Sequence, residues 1–119
     1  MRYKGLFIQN PKLYMSAATS LEFLTEITHG DKKLIKEMAE SILLQVEEYL
    51  PIIQEAVALG DYKSVLDIAH KLKTPVKIIG ADNLYDMLSI LQVNPSDPYI
   101  SEMVVTEGYN LIASIKRLI

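Results

Sequence analysis

His70 is one of two histidines in the 119-residue chain, and it stands in DIAHKLKTPVKIIGA, residues 67–81, among Lys71, Lys73 and Lys77. An imidazole with its ordinary pKa of about 6.5 is substantially neutral and nucleophilic at cellular pH. A phosphoryl group taken onto one ring nitrogen adds about two negative charges to the helix surface. Lys73 and Lys77, at i+3 and i+7, are placed to screen that charge, each exposed pairing contributing only about 0.2–1 kcal/mol. Weak stabilisation suits a group that is to be handed on. Residues 61–79 hold four lysines and two aspartates, a local +2 within a chain of net −3, so the remainder carries −5. Basic charge is concentrated where the imidazole is.

The helix that carries these residues has two stripes. Val65, Ala69, Leu72, Val76 and Ile79 step by four, three, four and three, the signature of a core-facing seam. Lys63, Asp67, His70, Thr74 and Lys77 step the same way, displaced by two residues, or about 200° around the axis. That displacement places His70 on the face toward water. Leu66 lies about 40° from the His70 direction and reads either as an edge-of-core leucine or as an apolar contact for a partner.

The elements that position this stripe are marked by regular punctuation. Gly30-Asp31, Gly60-Asp61 and Gly80-Ala81-Asp82 each set a glycine before an aspartate suited to cap a helix. Asn10-Pro11 and Asp97-Pro98 add two starts with proline at the first helical position. Apolar residues between these marks recur with helical spacing, and no stretch alternates like a strand. The spacing predicts helices near 11–28, 31–59, 61–79, 82–93 and 97–119. The 31–59 helix carries Ile35, Met38, Ile42, Val46, Tyr49, Ile53 and Ala56 on one side, and the last carries Val104, Leu111, Ile115 and Leu118. Such short joints favour antiparallel neighbours, so the expected fold is all-α: an up-down antiparallel four-helix bundle with a short extra N-terminal helix. Pro51 and Pro75 fall inside helices, where kinks are expected. The Thr74 hydroxyl is placed to bond back to the His70 carbonyl and add to the bend at Pro75.

Composition bounds the rest. Half the residues are hydrophobic and 23% are charged, which is a folded composition for one domain, 1–119, with residues 1–10 as an N-terminal extension. The absence of cysteine excludes disulfides, zinc-thiolate sites and thiol nucleophiles. An acidic chain without a basic block fits nucleic acid poorly. No apolar run approaches the roughly 18 residues of a membrane span, and the opening MRYKGLFIQNPKLYM does not read as a signal peptide. The expected location is the cytoplasm.

AHKLK, with Gly80-Ala81 ten residues after the histidine and then NLYDMLSIL, resembles the histidine-containing phosphotransfer (HPt) domain. LEFLTEITHGDKKLIKEMAESIL looks like that family's first helix, Gly-Asp turn and second helix, and YLPIIQEAVALGDYKSVLDIAH like its approach to the phosphohistidine helix. The resemblance spans roughly residues 13–119 and is weak at both ends. It implies a four-helix bundle that relays phosphoryl groups between receiver-domain aspartates, with His70 as acceptor, Lys73 as the accompanying lysine and Gly80 as the glycine ending the helix. The implied partners are receiver domains of response regulators and hybrid histidine kinases, meeting Leu66, Asp67, Thr74 and Gly80 beside His70, Lys73 and Lys77. No cofactor is implied on this chain, magnesium being expected on the receiver, and a single exposed acceptor works as a monomer. The departures are Thr74 where the family usually has glycine, Pro75 after it, and Lys77 where a small residue is common.

Three other readings bear on these residues. Glu26-Ile27-Thr28-His29 and Asp67-Ile68-Ala69-His70 imitate the E-x-x-H pairs of a di-metal bundle, but such a site needs inward ligands and two more carboxylates. Haem ligation needs a buried histidine. The stronger alternative is an HPt-like adaptor that binds receivers or kinases without accepting phosphate. His29, in THGD, reads as a helix-terminal residue interacting with the dipole, and the tyrosines and methionines read as packing.

Overall fold

The computed structural model describes residues 21–119. The expected start at Asn10-Pro11, the 1–10 extension and the first half of the 11–28 helix lie outside the described residues. Every regular element among the described residues is an α-helix: α1 (Glu22–Thr28), α2 (Lys32–Leu59), α3 (Tyr62–Ile78), α4 (Asp82–Val93) and α5 (Pro98–Leu118). From α2 onward the bounds fall within a residue or so of those that punctuation and periodicity predict.

The corners show why. At the first three, a glycine takes a left-handed φ, +77° at Gly30, +68° at Gly60 and +80° at Gly80. The chain then donates an N–H five residues back, Gly30 to Thr25, Asp61 to Ala56 and Ala81 to Val76, which closes the helix end. Asp31 and Asp61 then cap α2 and α3 by accepting the Leu34 and Ser64 N–H groups, and Asp97 accepts from Tyr99 and Ile100 to start α5. The third corner corrects the expectation at Asp82. Here Ala81, buried in the core, occupies the cap position, so Asp82 falls one residue inside α4 and serves only as a negative charge in its first turn.

Helix α2 lies against α3 and α5, and α4 also lies against α3 and α5, so these four close a ring, while α1 rests on α2. The core inside the ring is a single cluster to which every helix contributes, including Leu24 of α1, Val46 and Ile53 of α2, Leu88 of α4 and Leu111 of α5. Burying each such aliphatic chain contributes about 1.5–3 kcal/mol. The α3 seam is wholly part of it, with Val65, Ala69, Val76 and Ile79 at 0% exposure and Leu72 at 2%. Helices α2 and α3 run through Pro51 and Pro75 without interruption, Pro75 being buried. Leu118 departs from the expected α5 seam: it is half-exposed, in a surface groove with Leu21 and Ile35.

Candidate functional site

With one face of α3 sealed in the core, the other is displayed. Lys63, Asp67, His70, Thr74 and Lys77 are all exposed. Helical phase alone predicts that His70 faces water, and the geometry agrees.

A cavity of about 300 Å³ opens beside the imidazole, lined by His70, Lys73, Thr74 and Lys77 of α3 together with Ile78, Tyr85 of α4 and Phe23 of α1. Among the described residues its lining holds two ammonium groups, two hydroxyls and an imidazole, and no carboxylate. The volume is at the bottom of the range for small-molecule sites, and its rim residues Phe23, His70, Thr74 and Lys77 are exposed. This is an exposed imidazole at the edge of a cationic, partly aromatic recess.

The two lysines converge on one ring. Lys73 Nζ lies 4.8 Å from the Tyr85 ring centroid, and Lys77 Nζ lies 5.1 Å from it. Each such contact contributes about 0.5–1 kcal/mol at an exposed site. Lys73 is half-buried, its stem running along the surface while its head stays at the ring. Lys71 goes the other way, pairing with Asp67 at 3.3 Å on the far flank of α3 and reaching over Tyr49 of α2 at 6.0 Å. Of the three lysines around His70, two therefore serve its recess and one does not.

The remaining expected site residues, Leu66, Asp67 and Gly80, do not line this recess. Leu66 is 37% exposed on the same side of α3, at the margin between core edge and surface. Asp67 is held by Lys71. Gly80 borders a neighbouring surface depression shared by Phe23, Glu22, Glu26, Lys77 and Asp82. His29 ends α1 in the left-handed conformation, φ +53°, with its N–H donating to the Glu26 carbonyl, as a helix-terminal residue does.

Tyr85, Phe23 and Ile78 are the recess residues that sequence reasoning missed. Tyr85 was within reach: a hairpin turning at Gly80 brings the last turns of α3 beside the first turn of α4. Phe23 depends on where α1 folds back, which no local pattern states. A second missed group is Glu107 of α5. It is 2% exposed, its Oε1 accepts a long 3.5 Å hydrogen bond from Asn110 Nδ2, and its Oε2 is buried without a partner. Burial pushes its carboxyl above the usual range, partly offset by Asn110. The spacing from Val104 to Leu111 passes through Glu107, so its inward phase was readable.

No protein-family model, no curated protein and no solved structure matches the chain. Among the described residues no helix is long and apolar enough to cross a membrane.

Proposed function

We propose that the chain is a phosphorelay intermediate of the HPt type: α2–α5 form an up-down antiparallel four-helix bundle, α1 is a short extra helix, and His70 carries the phosphoryl group. The observation that carries the reading is an exposed imidazole beside two lysine ammoniums, on a helix whose opposite face is fully packed. A ring nitrogen of His70 attacks the phosphorus of a receiver's aspartyl phosphate. The N–P bond forms as the P–O bond to the aspartate breaks, and the carboxylate leaves with the electron pair. Delivery to a response regulator is the same step reversed. Lys73 and Lys77 supply positive charge near the phosphoryl oxygens, and Thr74 offers a hydroxyl. Magnesium belongs to the receiver, which supplies the acidic pocket. Receiver domains of response regulators and hybrid histidine kinases are the partners this chemistry needs, in the cytoplasm, with the chain acting as a monomer.

The adaptor reading draws on Thr74 and Lys77, whose side chains occupy the approach to His70. One experiment separates the two. The protein is incubated with a panel of labelled phospho-receivers, and acid-labile, base-stable phosphate is sought on it. The carrier reading expects label on the unaltered chain and none on His70→Gln. Label that persists in His70→Gln removes His70 from the role. Receivers that bind across the panel without transferring label establish the adaptor.

A further inference from the structure

We propose that Tyr85 is a positioning residue for phosphoryl acceptance at His70, its ring holding the Lys73 and Lys77 ammoniums beside the imidazole before the phosphoryl group arrives. The inference rests on the carrier reading of His70 and adds to it a part on a different helix. Lysine side chains are long and sample many rotamers when free, so a charge carried on one is poorly placed unless something holds it. Here both ammoniums lie within 5.1 Å of a single ring centroid, in the distance range where the ring quadrupole attracts a cation. Those distances also keep the two charges within about 10 Å of each other, close to a Debye length at physiological salt, so their repulsion is incompletely screened. The ring holds together two charges that otherwise separate. A phosphoryl dianion at His70 relieves that repulsion, so the arrangement favours the phosphorylated side of the step more than the free side. Tyr85 is half-buried and its backbone is fixed in the first turn of α4, with its N–H on the Ala81 carbonyl and its own carbonyl accepting from Ser89 Oγ. The ring thus belongs to the rigid bundle, while the lysine heads are the movable parts.

Phosphoramidate tests this without any protein partner. A ring nitrogen of His70 attacks its phosphorus, the P–N bond to the amine breaks as the new N–P bond forms, and ammonia leaves; the imidazole then sheds its other ring proton. The rate of label appearing on His70, followed by intact mass and site mapping, is the readout. Tyr85→Phe keeps the ring and is expected to stay within about twofold of the unaltered rate, whereas Tyr85→Leu is expected to slow it about fivefold. In a Lys73→Ala, Lys77→Ala background, Tyr85→Leu is expected to cost nothing further, because the cations it positions are gone. Helical circular dichroism checks the fold, and Tyr85→Met takes the place of leucine if that variant melts. Tyr85→Leu reacting at the unaltered rate overturns the proposal, as does the same slowing with and without the lysines. Absence of label on His70 in the unaltered protein overturns the carrier reading and this inference together.

Discussion

The His70 recess and the Glu107 pocket hold two ionisable groups on opposite terms. His70 is exposed on α3, with two hydroxyls and two ammoniums sharing its recess. Glu107 is sealed on α5, with one oxygen on a long bond to Asn110 and the other unpartnered, beside a pocket of about 60 Å³ that it shares with Tyr99, Glu102, Met103 and Thr106. An exposed group in contact with solvent costs the fold little and is available to another molecule. A buried carboxyl without full hydrogen bonding strains stability and is available to nothing outside. The same chain thus separates an exposed ionisable group from one that burdens the fold.

Their separation is best broken or sharpened by substitution. The largest effect belongs to His70→Gln, expected to abolish labelling by phospho-receivers while unfolding stability, measured in urea, stays within about 0.5 kcal/mol. A large loss of stability there means the imidazole is structural and the comparison collapses. Glu107→Gln is the mirror case, expected to leave labelling unchanged and to raise stability at neutral pH by about 1 kcal/mol, read as a melting temperature higher by about 4 °C.

Acid then distinguishes charge from shape. Because burial raises the Glu107 pKa above 4.5, the unfolded chain gives up the proton more readily, so stability is fully present below that value and falls as pH rises through the folded-state pKa. The advantage of Glu107→Gln is therefore expected to shrink toward zero as pH falls below about 4.5, in paired melts across pH. Asp61 has the opposite sign: the Ser64 hydroxyl and then the Ser64 N–H hold its pKa down. Its contribution is present above the ordinary carboxylate range and is lost as pH falls through the lowered value.

Smaller effects follow at the margins. Asp97→Ala removes the acceptor of two N–H groups at the start of α5 and is expected to lower stability by about 1 kcal/mol, with labelling at His70 intact. Lys71→Ala, on the far flank of α3, breaks the exposed pair with Asp67 and the 6.0 Å contact with the Tyr49 ring and is expected to change stability by no more than about 1 kcal/mol in denaturant titration. It is also expected to leave the phosphoramidate rate unchanged, unlike substitutions at Lys73 or Lys77. If Lys71→Ala slows labelling as much as they do, the recess is a diffuse charge effect and not a built site.

Much of this was legible from residue types alone. Gly-Asp corners announce helix ends through left-handed backbone and capping oxygens, and the two α3 stripes state which face is wet, because helical phase is a local property. Asp82 escaped because one inserted alanine shifts the cap, a displacement that depends on Ala81 finding room in the core. Tyr85 escaped because tyrosines at helical spacing are usually packing residues, and its role depends on two lysines from the preceding helix reaching it across Gly80. Phe23 required the path of α1, set by non-local contacts that no pattern within α1 encodes. Glu107 went unread for the plainest reason: a glutamate in a polar-looking run is normally a surface residue, although here it shares the inward phase of Val104 and Leu111.

The carrier claim is tested most directly by a chase. Protein labelled on His70 is purified from its donor and mixed with an unlabelled receiver domain and magnesium, and the location of the label is followed in time. The account predicts that label leaves His70 and appears on the receiver's aspartate before it appears as free phosphate. Label that remains on His70, or that is released only as inorganic phosphate across the receiver panel, contradicts it.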